Sequence, residues 1–255
     1  MTARVLEICI DGVEGARRAA RAGASRVELC SALLVGGLTP STGMVEATIA
    51  AAGHLRVHVL IRPRAGDFVY DADESAVMLA DIEHARRLGA DGVVFGALTA
   101  DRAIDLELCQ RLVDASMEIS VTFHRAFDLV AHPFAALEEI ITLGADRLLT
   151  SGQDETALEG APLIAGLVRA AAGRLIVMPG GGVNERNAVR ILEATGANEL
   201  HLSASTTEPS PVGSENRSVH MGGALYPPEL DRRVTSEARI AATLTAIRKE
   251  ILACD

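Results

Sequence analysis

Leu6-Glu7-Ile8-Cys9-Ile10 sets three aliphatic side chains against a carboxylate and a thiol. On a strand, residues two apart share a face. Leu6, Ile8 and Ile10 therefore make one face, and Glu7 and Cys9 the other. The pattern returns down the chain. In Arg26-Val27-Glu28-Leu29-Cys30, Glu28 and Cys30 oppose Val27 and Leu29. In Val57-His58-Val59-Leu60-Ile61-Arg62, His58, Leu60 and Arg62 oppose the branched residues. Val121-Thr122-Phe123-His124 and Leu200-His201-Leu202-Ser203 repeat the rule. A solvated sheet face would carry scattered Lys and Thr. A recurring face of Glu, Cys, His, Arg and Ser points to a shared interior with chemistry in it.

Working outward, strands are expected at 6–10, 26–30, 55–61, 92–96, 118–124, 147–150, 175–178 and 199–203. Helices are expected at about 11–22, 42–52, 74–88, 104–115, 133–143, 155–172, 185–195 and 231–252. Pro133 suits a first turn and Asn184 an N-cap. Strict βα alternation implies a parallel sheet with right-handed crossovers, and eight units suggest closure into a (βα)8 TIM barrel, an α/β single domain over 1–255. An open doubly wound sheet would need a dinucleotide fingerprint after the first strand, which Ile10-Asp11-Gly12-Val13-Glu14-Gly15 does not supply. An internal repeat supports the barrel. Ala22-Gly23-Ala24-Ser25, Leu88-Gly89-Ala90-Asp91, Leu143-Gly144-Ala145-Asp146 and Thr195-Gly196-Ala197-Asn198 introduce strands two, four, six and eight. Each puts Gly where a helix end needs a left-handed residue. The long connection 204–230, rich in Pro and Gly, leaves strand eight and is expected to lie over the barrel mouth as a lid.

Composition narrows the function. The chain has 255 residues, and its formal net charge of -10 argues against a nucleic-acid groove or an anionic membrane surface. With no Trp, two Tyr and five Phe, base-stacking platforms are not expected. No apolar run is long enough to span a bilayer, and the N-terminus enters a strand without the regions of a signal peptide. A cytoplasmic protein is expected. Cys9, Cys30, Cys109 and Cys254 form no CxxC pair, so free thiols are expected in a reducing compartment.

In a barrel the chemistry sits at the C-terminal strand ends. Glu7 and Glu28, on neighbouring strands, suit acid–base work, or an interior ion-pair layer with Arg62 or His58. His124 and His201 close strands five and eight and suit proton transfer or metal ligation, or satisfied core positions. Arg62 offers a fixed fork for carboxylate or phosphate, or a salt bridge to Glu28 or Glu7. Gly181 and Gly182, in the Gly-Gly-Gly run after strand seven, could present N–H groups to an anion, with Ser203 as the strand-eight partner; a tight turn needs glycine too. Cys9 and Cys30 share a face on adjacent strands, where thiolates favour Cu(I); buried cysteines also serve as small core residues.

Six motifs in order, Leu6–Cys9, Val27–Leu33 with Gly36–Ser41, Ile61–Phe68, Asp91–Gly96, Thr122–Asp128 and Leu148–Gly152, resemble the CutC copper-homeostasis family over nearly the whole chain. The resemblance implies a cytoplasmic TIM barrel, a homodimer, and a link to copper tolerance and Cu(I) binding. It also implies that Cys30, in the Glu28-Leu29-Cys30-Ser31-Ala32-Leu33 motif, matches a cysteine proposed as a copper ligand. Three readings follow: a copper-handling protein using Cys30 and Cys9; an enzyme on a small anionic substrate using Glu7, Glu28, Arg62, His124 and His201; or a structural dimer.

Overall fold

The computed structural model describes residues 4–212 and 231–253. Eight units run in order. They are β1 Val5–Ile10 with α1 Val13–Arg21, β2 Arg26–Leu29 with α2 Thr42–Ala51, β3 Arg56–Leu60 with α3 Ala72–Arg87, and β4 Gly92–Phe95 with α4 Leu106–Ser116. There follow β5 Ser120–Phe123 with α5 Pro133–Leu143, β6 Arg147–Thr150 with α6 Ala161–Ala171, β7 Ile176–Pro179 with α7 Ala188–Thr195, and β8 Glu199–Leu202. A hairpin, β9 Ser205–Pro209 with β10 Asp231–Thr235, precedes α8 Glu237–Ala253.

The eight barrel strands are all parallel and lie in the order β7-β6-β5-β4-β3-β2-β1-β8. The expected TIM barrel is therefore present and nearly closed. At the seam between β7 and β8, a Cβ built on Gly180 would lie 3.2 Å from the His201 Cβ, so the two strand ends are packed together.

The alternation places each side chain as expected. Leu6, Ile8, Ile10, Val27, Leu29, Val57, Val59 and Ile61 join the main apolar core under the helices. Cys30, Leu60 and Val94, with Cys9 and Leu33 against them, make a separate small cluster inside the barrel. The repeat phrase does two jobs. Gly23, Gly89, Gly144 and Gly196 all have positive φ and end their helices. The Asp that follows in two copies then ties strands together: Asp91 accepts from the Val57 N–H at 2.8 Å, and Asp146 from the Val121 N–H at 2.8 Å. Helix starts follow side-chain capping. Asp71 and Glu74 form a reciprocal capping box at α3, and Ser41 and Asp105 cap α2 and α4.

Four expectations are corrected. The stretch 231–235 is not the first turn of the last helix but strand β10, and 205–209, expected within a structureless loop, is its antiparallel partner β9. Most of the expected lid, 213–230, lies outside the described residues. Helix α6 begins at Ala161, because Pro162 is tolerated only in a first turn. Helix α7 begins at Ala188; Asn184 instead heads the preceding turn, accepting from the Arg186 N–H at 2.9 Å. Residues 1–3 and Cys254 lie outside the described residues.

Candidate functional site

The inner face of the barrel holds its titratable side chains in two layers. The lower one is closed. Glu7 is fully buried and lies opposite Arg26 in the β1–β2 register. The Arg26 Nε donates to Glu7 Oε2, and its terminal nitrogen donates to Glu199 at 2.5 Å. Arg147 donates to the same Glu199 oxygen at 3.0 Å. Two carboxylates thus face two guanidinium groups, and the charges balance. Burial alone would raise the Glu7 carboxyl, but the Arg26 charge and the His201 imidazole outweigh it and hold the group well below the usual carboxylate range. His58 stands beside this layer, its Nδ1 4.0 Å from Glu7. Burial pushes it down to about 4, so the ring is neutral.

The upper layer opens into the mouth. His201 links the two layers: Nδ1 lies 2.8 Å from Glu7 Oε1, and Nε2 lies 3.7 Å from Glu28 Oε2. Cys9 lies opposite Glu28 in the register, which brings the two strand-end cysteines together. Cys9 Sγ and Cys30 Sγ are 3.7 Å apart, and Cys30 Sγ lies 3.4 Å from Glu28 Oε2. One donor atom from each of Cys9, Glu28 and Cys30 falls within 4.8 Å of the others. Burial pushes Glu28 up to about 8, against the pull of His201. Cys9 is drawn down to about 5, first by the Cys30 S–H and, against burial, by His201. Burial disfavours the His201 cation, but Glu28, Cys9 and Glu7 overcome this and hold the ring well above its ordinary value. Cys30 is pushed up, first by its hydrogen bond to Cys9 and then by burial. Near neutral pH the trio therefore holds a protonated Glu28 and a Cys9 thiolate facing an imidazolium.

The other expected residues sit around the same cavity, which has a volume of about 870 Å³. Arg62 does not reach Glu7 or Glu28. Its terminal nitrogens donate to the carbonyls of Val35, Gly37 and Gly66 at 3.0, 3.0 and 2.8 Å, and its guanidinium stacks over Phe68 at 4.9 Å. His124 packs against Phe68 edge-to-face at 4.9 Å. Burial and then the Arg62 charge push it down to about 3, so it is a neutral ring and poorly suited to moving protons at pH 7. Glycines at the start of β4 and just past its end make room for both buried imidazoles: a Cβ on Gly92 would meet His58 at 2.8 Å, and one on Gly96 would meet His124 at 2.6 Å. Gly181 and Gly182 line the cavity with positive φ, and Ser203 stands exposed on its wall just past β8. Arg125 lies against Gly181, bonded to Ser151 at 2.7 Å and to Asp128 at 2.7 Å. The structure thus joins Glu7, Cys9, Glu28, Cys30 and His201 in one contact network and sets Arg62 with His124 apart from it.

Arg26, Glu199 and Arg147 were not singled out from the sequence. The signal was there: Arg26 shares its face with Glu28, and Glu199 with His201, so parity alone puts both inside.

A sequence model of the CutC family matches residues 4–206. The chain belongs to the CutC family. The human copper homeostasis protein cutC homolog is 51% identical over 97% of this chain and 90% of its own length. The mouse homolog is 50% identical with the same coverage. A family protein CutC from Bacteroides thetaiotaomicron is 49% identical over 95% of this chain and 97% of its own. The crystal structure of a CutC from Streptococcus agalactiae superposes with a TM-score of 0.76 at 34% identity, covering 78% of this chain and 98% of that one. An aldolase named QR15, with a TM-score of 0.60 at 18% identity, covers 78% of this chain and 89% of its own; it shares the fold alone. Among the described residues no helix is long and apolar enough to cross a membrane.

Proposed function

We propose that this CutC-family barrel takes Cu(I) as cargo at its mouth, on the Cys9 and Cys30 sulfurs with the Glu28 carboxyl alongside. The observation that carries the reading is the pair of thiols on adjacent strands, 3.7 Å apart. Soft thiolates favour Cu(I), together with zinc and iron–sulfur clusters, over harder ions. With metal–sulfur bonds of about 2.3 Å, two ligands at a trigonal angle stand about 4 Å apart, so the pair needs little adjustment. One thiol is already drawn toward its thiolate. Three protein donors fall short of the four that structural zinc sites use, which favours an ion content with low coordination. The names of the human and mouse relatives are consistent with the role. Cys9, Cys30 and Cys109 are unpaired, which suits a reducing compartment such as the cytoplasm; the homodimer expected from the family resemblance belongs to the same proposal, with light scattering as its check. Copper K-edge absorption of reduced, copper-loaded protein tests the ligand set. Two sulfur scatterers per copper are expected; a shell of only nitrogen and oxygen would reject the assignment.

One observation favours a second reading, an enzyme for a small anionic substrate. Glu28 is held protonated beside a cationic His201 at the cavity wall, an arrangement able to give and take a proton near pH 7. Turnover lost in Glu28→Gln with the fold intact would support it, and a substrate must first be found.

A further inference from the structure

Arg125, just past β5, is fixed by its neighbours with one end left free. Its Nε donates to Asp128 at 2.7 Å, and one terminal nitrogen, Nη2, donates to the Ser151 hydroxyl at 2.7 Å. Asp128 is fully occupied, accepting also from the Thr150 hydroxyl and from the Ser151 N–H at 3.1 Å. The other terminal nitrogen, Nη1, has no acceptor among the described residues, and the side chain is 44% exposed on the cavity wall. A guanidinium held at two nitrogens and bare at the third is oriented in advance to donate to an anion.

The glycine run after β7 supplies a second donor. The N–H groups of Gly181 and Gly182 meet no protein acceptor among the described residues. The Gly181 carbonyl accepts at 2.9 Å from the N–H of Ala157, a fully buried residue that does not line the cavity. In a trans peptide the N–H points opposite to the carbonyl. The Gly182 N–H is therefore turned away from Ala157, on the side where Gly182 lies exposed on the cavity wall. Arg125 is close by: a Cβ on Gly181 would lie 3.4 Å from its Nη1. Standard backbone lengths put the Gly182 nitrogen within about 4 Å of that position, so the two donors are no more than about 7 Å apart. Two hydrogen bonds of about 2.9 Å take up most of that span, and the oxygens of one anionic group fill the rest. Across the seam Gly180 packs on His201, and Ser203 follows His201 as Gly182 follows Gly180. Ser203 is exposed on the same wall, its hydroxyl unpartnered among the described residues. Arg233 of β10 also lines the cavity; it bonds the Ser205 hydroxyl at 2.8 Å and meets no carboxylate among the described residues.

We propose that Arg125 Nη1, the Gly182 N–H and the Ser203 hydroxyl form a subsite for the phosphate of a small phosphate ester, with Arg233 as a second cation at its rim. The donors come from the ends of three strands, β5, β7 and β8, so they close on a group with oxygens on several sides, as a phosphate has and a carboxylate has not. The chain carries a net charge of -10, so these local arginines, and not the overall field, draw the anion in. The rest of the ester is directed at the proton-transfer groups, because His201 Cδ2 would lie 3.4 Å from a Cβ on Gly180, just below the subsite. The subsite gives the enzyme reading its substrate class and rests on that reading for turnover, though not for binding. Cys9 and Cys30 take no part in it.

The test uses the full chain, reduced and stripped of metal by a chelator. Calorimetric titration with glycerol phosphate, with inorganic phosphate, and with succinate as the carboxylate arm reads the ligand class. One-to-one binding of glycerol phosphate is expected, with inorganic phosphate competing for the same site and succinate about tenfold weaker or more. Proton–nitrogen NMR should show the Gly182 amide shifting as phosphate binds. Arg125→Gln should weaken glycerol phosphate about tenfold or more. That change also takes a partner from Asp128, so Ser203→Asp, at an exposed position, repeats the test by setting a carboxylate against the phosphate. Glu28→Gln should bind glycerol phosphate as the wild type does; turnover absent while binding persists would overturn the enzyme reading and leave the subsite standing. Succinate bound as tightly as glycerol phosphate, phosphate binding unchanged in both Arg125→Gln and Ser203→Asp, a Gly182 amide that does not move, or no phosphate bound below about 10 mM would each overturn the subsite.

Discussion

Two regions of the barrel interior use the same residue types to opposite ends. In the lower layer, Glu7, Arg26, Glu199 and Arg147 satisfy one another in a closed set of ion pairs. At the mouth, Cys9, Glu28 and Cys30 share protons among themselves, and Arg62 and His124 keep donors that no protein group meets. The difference separates charges that are matched within the protein from polar groups that are not. His201 spans the two, bonded to Glu7 below and facing Glu28 above.

The largest effect is expected where the lower layer is broken. Arg26→Met leaves the buried Glu7 with His201 and Glu199 with Arg147 alone. Removing one partner of a buried pair costs about 4 kcal/mol, read as a fall in urea midpoint at unchanged slope. A loss below about 1 kcal/mol would place that layer in the same class as the mouth. Cys9→Ser, by contrast, should stay within about 1 kcal/mol of the wild type.

The next effect is pH dependence, and the two regions differ in sign. His58 titrates at about 4 when folded against 6.5 unfolded. Its folded value is depressed, so the unfolded chain binds more protons between those limits. Stability from the neutral ring is present above pH 6.5 and lost as pH falls toward 4, on the order of 3 kcal/mol. His58→Gln should flatten that acid limb. Glu28 titrates at about 8 against 4.5 unfolded. Its folded value is raised, so its contribution is present below pH 4.5 and lost as pH rises through 8. Glu28→Gln should therefore be more stable than the wild type at pH 9 and indistinguishable from it at pH 4. Denaturation curves across pH decide both, and parallel slopes in variant and wild type would contradict the assignments.

The smallest effect belongs to the outer surface. Arg174 and Glu138 meet at 2.6 Å, but both side chains are about half exposed, at 47% and 53%. Glu138→Ala should leave the urea midpoint nearly unchanged, a smaller shift than either interior change. A larger loss would mean that the exposed pair supports the α5–α6 packing in its own right.

Parity made most of the barrel legible in the chain. Glu7 and Cys9 against Leu6, Ile8 and Ile10 gave the inner face of β1, and the Gly-Ala-Asp phrases gave the strand entries. Parity fixes a face and not a height, however. Arg62 shares an inward face with His58, so an ion pair with Glu7 or Glu28 looked natural. The register sets Glu7 against Arg26 and Cys9 against Glu28, while Arg62 lies past the end of β3 among backbone carbonyls. The β9–β10 hairpin was hidden for another reason. Asp231-Arg232-Arg233-Val234-Thr235 carries one aliphatic side chain, so it shows no apolar alternation, and its partner lies more than twenty residues away in sequence. Nor can composition show that the His124 Nδ1 is committed to a backbone N–H, or that burial holds the ring neutral.

The measurement that bears most directly on the division between foundation and mouth is a Cu(I) titration of reduced protein against a competing chelator, run on the wild type, Cys9→Ser and Cys30→Ser, with a denaturation curve for each. The account predicts one Cu(I) per wild-type chain, loss of stoichiometric binding in both variants, and stabilities within about 1 kcal/mol of the wild type. Stoichiometric Cu(I) retained by either variant, or a wild type that cannot compete for the ion, would contradict it.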